Sequence, residues 1–277
     1  MQIYGISTCF FERRILYDTG ANECVVSQKL KEIESMYHVT VLWAVESGSR
    51  AWGFASPDSD FDIRFIYKRK QEAYLKLNPD RDVIELPVDD IWDISGWDLD
   101  KTLKLLQRSN PTLYEWFQSP IRYYETAFSK RIEPLLKDCF SEEKMLYHYL
   151  NTAKHNIRDF LSGDSVKPKK YFYALRPVLA CSWIRTYHTA PPVLFDDLCR
   201  AVLSEKLTNS VNYLLEIKIN GPEKMEIAPI KEIDDFLNAQ VSDIECYLHS
   251  IPHRPAANWD RLNCFFVEEI QRDPIPW

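Results

Sequence analysis

The sequence predicts an α+β protein, with a mixed sheet-and-helix N-terminal part followed by an all-helical C-terminal part. Three observations carry this. Short runs rich in β-branched and aromatic residues, one of them alternating strictly, lie before residue 98. Beyond residue 135 the apolar residues recur at helical spacing. Within that second part Pro and Gly concentrate in "SGDSVKPKK", "HTAPPVLF" and "NGPEKMEIAP", which read as linkers.

In chain order, "ECVVSQKLKEIESMY" reads as an amphipathic helix with Val26, Leu30 and Ile33 on one stripe, and "HVTVLWAVE" as a strand. "DFDIRFIY" alternates, with Phe61, Ile63 and Phe65 on one face and Asp60, Asp62 and Arg64 on the other. "DVIELPV" and "DIWDIS" are two further short strands. "LDKTLKLLQRS" turns helical, ended by Asn110-Pro111, and Trp116 and Phe117 in "LYEWFQSP" read as core. The boundary falls near residues 119–135, which divides the chain into 1–125 and 126–277. The second part holds helices in "EEKMLYHYLNTAKHNIRDFL", "KKYFYALRPVLACSWIRTYH" (interrupted or started by Pro177), "TNSVNYLLEIK", "IKEIDDFLNAQVSDIECYLHSI" and "NWDRLNCFFVEEI".

Composition narrows the function classes. A net charge of −7 argues against a broad basic surface coating duplex nucleic acid, although a local basic cleft is compatible with it. No window approaches 18 uninterrupted apolar residues and the N-terminus lacks the layout of a secretory signal, so a cytoplasmic protein without membrane contact is expected. The seven cysteines form no C-x-x-C and the six histidines no H-E-x-x-H, so reduced thiols and no zinc site are expected.

The stretch "WAVESGSRAWGFASPDSDFDIRFIY" concentrates the chemistry. A strand of alternating period brings Asp60 and Asp62 to one face, their side chains about 6–7 Å apart. Aspartate is depleted in strands, and two carboxylates this close call for a neutralising cation, for which Mg²⁺ with its preference for carboxylate and phosphate oxygens is suited. Upstream, Gly48-Ser49 closes a strand in a small-residue turn whose amides and hydroxyl suit phosphate oxygens. Arg50 follows as a phosphate partner, or as a surface arginine paired with Glu46. Arg64 shares the carboxylate face and is placed to orient Asp62.

The order of strand, Gly-Ser, ten residues, Asp-apolar-Asp and strand resembles the nucleotidyltransferase signature of the DNA polymerase β superfamily. "ESGSRAWGFASPDSDFDIRFIY", "GWDLDKTLKLLQRSNPTLYEWFQSPI" and "KPKKYFYALRPVLACSWI" together resemble the RlaP/YcgL group of predicted nucleotidyltransferases, associated with RNA repair. The resemblance implies a polymerase-β-like palm, a short mixed sheet with flanking helices, followed by a helical domain completing the cleft. It also implies a third carboxylate. Asp93, between Trp92 and Ile94, is the first choice; Asp98 competes but reads as part of a capping box Ser95-x-x-Asp98, and Glu85 and Asp90 follow.

The implied reaction is two-metal nucleotidyl transfer, with Asp60, Asp62 and Asp93 holding Mg²⁺ or Mn²⁺ over an NTP, and ATP the donor by analogy. Gly48, Ser49 and Arg50 would meet the phosphates. The family also implies basic and aromatic residues from the helical domain, for which Lys170 and Arg176 are the choices against a solvated lysine patch. The acceptor is open between an RNA 3′-end and a protein or small-molecule hydroxyl. For RNA, Tyr123, Tyr124, Lys130 and Arg131 would supply part of a groove. A catalytically silent interaction module of a defence or toxin–antitoxin system is the alternative from another class. Glu115 reads as a helix-surface residue rather than a metal neighbour.

Overall fold

The computed structural model describes residues 19–273 apart from 57–58, 90, 223–224 and 254–256. A helix, α1 (Thr19–Tyr37), precedes strand β1 (Thr40–Glu46); a short helical turn, α2 (Gly48–Ala51), leads to β2 (Phe61–Lys68). Then come α3 (Gln71–Tyr74), β3 (Val83–Glu85), β4 (Trp92–Asp98), α4 (Leu99–Gln107), α5 (Pro111–Gln118) and β5 (Arg122–Glu125). The rest is helical: α6 (Phe128–Cys139), α7 (Glu142–Phe160), α8 (Pro168–Tyr187), α9 (Phe195–Val202), α10 (Glu205–Asn220), α11 (Lys231–Leu248) and α12 (Trp259–Gln271). This is the α+β arrangement the sequence predicts, a five-stranded mixed sheet with flanking helices and then a helical region. No helix among the described residues is long and apolar enough to cross a membrane.

The sheet order is β3-β4-β2-β1-β5, in which β2 and β4 run parallel and every other pair is antiparallel. Strict alternation in β2 divides its two faces. Ile63, Phe65 and Tyr67 pack with Val26, Leu30 and Ile33 of α1. On the other side, Leu42, Trp43, Val45 and Ile66 pack with α4, α5 and α6 and with Ile244, Leu248, Leu262 and Phe265 from the two last helices. Full burial of each such side chain contributes roughly 1.5–3 kcal/mol. A third core gathers around α8, and Phe54, from the segment after α2, inserts into it against Phe172 and Phe195 at 5.0 and 5.4 Å between ring centroids.

Several elements depart from the sequence reading: α3, α6 and α9 are not among the helices it names, and two further differences bear on the packing. Pro177 neither starts nor interrupts a helix: α8 begins at Pro168 and runs through it. The carbonyl that a proline at this position leaves without its amide partner belongs to Tyr173, and Asn156 Nδ2 donates to it at 2.8 Å. β5 lies inside the stretch read as a domain boundary, and it borders β1 along the sheet edge.

Helix α12 is tied to the sheet by buried charge. Lys68, at the end of β2, donates from Nζ to the carbonyls of Glu269 (2.7 Å) and Arg272 (2.6 Å). Arg131 on α6 holds the buried Glu269 carboxylate through Nε (2.5 Å) and Nη2 (2.7 Å). Arg131 and Tyr123, two members of the RNA groove drawn from the sequence, are thus occupied inside the protein, Tyr123 by Glu46. Arg131→Ala removes the two-pronged partner of the buried Glu269 carboxylate, leaving Arg272 at 3.3 Å and the Lys68 ammonium on the Glu269 main chain, and should lower unfolding free energy by about 3 kcal/mol in urea melts. A loss under about 0.5 kcal/mol would mean that the pair does not hold α12 in place.

Candidate active site

The site is built where β1 ends and the chain turns. Gly48 stands at φ +58°, in the left-handed region, and a Cβ added to it would lie 2.0 Å from Asp62 Oδ2. Both facts require glycine. The Ser47 amide donates to the Asp62 carbonyl at 2.8 Å, so the turn is fastened to β2 beside that carboxylate. The first-turn amides of α2, on Gly48, Ser49 and Arg50, have no acceptor within the helix by its geometry, and the Ser47 side chain makes no cap bond to them. The exit of the turn is gripped by the helical region: Phe195 N donates to Trp52 O at 3.0 Å, and Lys218 donates to the Phe54 carbonyl.

The parallel register pairs Asp62 with Asp93 on adjacent strands. Arg64, two residues along β2, holds both: Nη2 donates to Asp62 Oδ1 (3.0 Å) and to Asp93 Oδ2 (2.7 Å), while Nη1 donates to the Asp93 carbonyl (2.8 Å). Partial burial raises the pKa of Asp62; Arg64 opposes this, and the like charges of Asp93 and Asp60 add to it. Asp60 lies just before β2, exposed at the mouth of the site. Among the described residues no three acidic, His or Cys side chains are gathered closely enough to grip an ion by themselves. Two of the three expected carboxylates converge, and the charge between them is a guanidinium.

The remaining acidic candidates separate clearly. Asp98 is the N-cap of α4, accepting from the Asp100 amide (3.2 Å), from Tyr74 (2.7 Å) and from Arg69 (3.2 Å). Ser95 belongs to β4, so the cap is Asp98 itself rather than a box begun at Ser95. Glu85 is exposed and paired with Arg81 at 2.5 Å; Asp90 lies outside the described residues.

Arg50 reaches the opposite side of the strand. Its guanidinium lies over the Phe61 ring at 3.7 Å and donates to the carbonyls of Ser59 (2.7 Å) and Asp60 (3.0 Å). It therefore ties α2 to the loop that carries Asp60. Arg176 is buried, paired with Glu115 at 2.8 Å and packed over Trp52 at 4.6 Å; Glu115 also accepts from Tyr149 at 2.8 Å and is not a surface residue. The Arg176 Nε atom is buried without a partner. Lys170 lies six residues earlier on α8, about 9 Å along its axis, with Nζ over Phe160 at 3.5 Å.

Glu46 carries a role that sequence reasoning missed. It ends β1 with no exposed surface, Oε1 accepting from the Asp62 amide (2.7 Å) and Oε2 from Tyr123 (2.5 Å). The only signal in the sequence is an acidic residue closing an apolar strand just before Gly-Ser. Burial raises its pKa from 4.5 to about 7, against the bonds from Tyr123 and Asp62 and the charge of Arg50, and with the charge of Asp62.

A carboxyl whose pKa is raised by folding keeps a proton that the unfolded chain has released, so stability falls as pH rises through the window between the two values. For Glu46 that window is 4.5 to about 7, and the loss is of order 3 kcal/mol. Urea melts from pH 4.5 to 7.5 should show this loss in the natural protein relative to Glu46→Gln. Parallel curves for the two proteins would contradict it.

Comparison with known proteins adds three findings. Residues 23–268 match the model of the RNA repair pathway DNA polymerase beta family. The uncharacterized protein YcgL of Bacillus subtilis (strain 168) is 46% identical over 253 residues, which covers 90% of this chain and 97% of that one. A nucleotidyltransferase-like protein from Exiguobacterium sibiricum 255-15, known from a crystal structure, shares 13% identity over 91% of this chain and 82% of its own, with a TM-score of 0.29, a likeness too slight to identify a fold. A family match across nearly the whole chain, over a sheet that sets Asp62 beside Asp93 and Gly48 against Asp62, makes this protein a member of the RNA repair pathway DNA polymerase beta family, a nucleotidyltransferase family.

Proposed function

We propose that this chain transfers a nucleoside monophosphate from an NTP to an acceptor hydroxyl, with Asp60, Asp62 and Asp93 as the catalytic carboxylates. The observation that carries the proposal is the convergence of Asp62 and Asp93 on one positive group beside a turn whose glycine touches Asp62. The donor set fits a hard divalent cation: it is all carboxylate oxygen, and burial, together with the like charges of Asp93 and Asp60, raises the pKa of Asp62. Asp62 and Asp93, with Asp60 at the mouth, would hold Mg²⁺ or Mn²⁺, which when bound supplies neutralisation of the triphosphate and of the attacking oxygen.

The chain's own residues supply the remainder. The amides of Gly48, Ser49 and Arg50 face the phosphates as donors, and the Ser49 hydroxyl adds another. Arg50 acts through the loop, holding the main chain of Ser59 and Asp60 rather than reaching the phosphates. Arg176 acts through Trp52, whose carbonyl fixes the exit of the turn, and Lys170 supplies positive charge farther along α8. Residues 1–125 form the catalytic unit and 126–277 the wall of the nucleotide and acceptor cleft. ATP is the donor by family analogy, and an RNA 3′-end is the acceptor favoured by the repair association. One observation favours a catalytically silent module instead: Arg64 already satisfies Asp62 and Asp93.

Incubation with each α-labelled NTP, Mg²⁺ and a panel of RNA, protein and small-molecule acceptors decides between these readings. Transfer that falls by about 10²-fold or more in Asp60→Ala and Asp62→Ala is expected. Equal labelling by those variants would place the chemistry elsewhere, and no labelling by the natural protein would favour the silent module.

Arg64→Ala leaves two partly buried carboxylates facing one another. Its unfolding free energy without metal should drop by about 1–3 kcal/mol, and added Mg²⁺ should recover more stability than in the natural protein. A variant that melts alike with and without Mg²⁺ would contradict this.

A further inference from the structure

We infer that Glu46 is a positioning residue that sets the main chain of Asp62 for cation binding, with Tyr123 as its clamp; this rests on the nucleotidyl-transfer reading. β1 and β2 pair antiparallel up to Glu46 opposite Ile63, so the next pair in register is Ser47 with Asp62. Every second pair of an antiparallel ladder exchanges two bonds, and this pair falls on that alternation. One is present, from the Ser47 amide to the Asp62 carbonyl at 2.8 Å. The other is missing, because the Ser47 carbonyl turns to accept from Ala51 in α2. The Asp62 amide goes instead to Glu46 Oε1 at 2.7 Å. A side-chain oxygen thus takes the place of the backbone acceptor that the turn removes.

Glu46 is itself fixed at every polar atom. Its amide donates to Ile121 O (3.0 Å) and its carbonyl accepts from Ser119 Oγ (2.6 Å). Its second carboxylate oxygen accepts from Tyr123 at 2.5 Å. These three partners come from the segment running from the end of α5 into β5, so the sheet edge and the Asp62 main chain are joined through one residue. A fully buried carboxylate is costly to keep, and an apolar side chain would fill this place at less cost. What an apolar side chain lacks is an acceptor for the Asp62 amide. Tyr123 has no other role in the site as described.

The test is Mn²⁺ affinity by electron paramagnetic resonance in the natural protein and in Glu46→Gln, Glu46→Leu, Tyr123→Phe and Asp62→Ala. Hydrogen exchange at the Asp62 amide is followed alongside. Glutamine keeps an acceptor for that amide and should hold Mn²⁺ within about 3-fold of the natural protein. Leucine removes it and should weaken Mn²⁺ by about 10-fold and speed exchange at Asp62 by at least as much, with Tyr123→Phe between the two. If Glu46→Leu does not fold, Tyr123→Phe against Glu46→Gln carries the comparison. Natural affinity in both Glu46→Leu and Tyr123→Phe, with binding lost in Asp62→Ala, overturns this inference alone; so does natural affinity in Tyr123→Phe if it must stand for both. A natural protein that binds no Mn²⁺ overturns the nucleotidyl-transfer reading beneath it.

Discussion

Two carboxylates on neighbouring parallel strands repel each other, and the site is organised around keeping them together. Asp62 and Asp93 share a register position in β2 and β4, and Arg64 spans them. Their spacing is a property of the ladder, fixed by backbone hydrogen bonds and by the apolar faces of Ile63, Phe65 and Ile94 beneath. A one-residue slip of β4 would turn Asp93 to the α1 side and Trp92 to the open side. The core that fixes the register therefore also fixes the charge pair, and the guanidinium keeps its repulsion tolerable where water reaches it only in part.

The surrounding parts hold that pair against a turn. Gly48 lets the main chain pass at contact distance from Asp62, in a conformation that a side chain would resist. Arg50 fastens the far side of the same loop, and Phe54 plugs the segment after the turn into the helical core. The helical region is thus part of the turn's support, and it also closes back on the sheet through Lys68, Arg131 and Glu269. Four buried or half-buried charged residues, Glu46, Arg176, Glu115 and Glu269, each stabilise a junction between elements rather than a surface.

Much of this was legible in the sequence because it is local. Alternation in "DFDIRFIY" gives the two faces of β2, and Val26, Leu30 and Ile33 at helical spacing give the buried side of α1. The Gly-Ser turn and the paired aspartates stand out because glycine is rare in this chain and aspartate is disfavoured in strands. What stayed hidden depends on partners far along the chain. Whether Arg50 points at phosphates or around the strand edge depends on Phe61 and on two carbonyls nine and ten residues away. Glu115 reads as a surface residue until Arg176 and Tyr149 are seen to meet it. Pro177 reads as a helix breaker because its compensation, Asn156, belongs to another helix. β5 has four residues, two of them charged and none alternating in polarity, and only β1 beside it makes it a strand.

In the proposed reading Asp62 and Asp93 form a cation site in which Arg64 stands in for the ion. A crystal structure with Mn²⁺ and a non-hydrolysable NTP, read by anomalous scattering, tests it directly. Expected are an anomalous peak bound by Asp62 and Asp93, the triphosphate against Gly48 and Ser49, and Arg64 withdrawn from at least one carboxylate. A peak elsewhere, or none with both Arg64 bonds intact at saturating Mn²⁺, would contradict it.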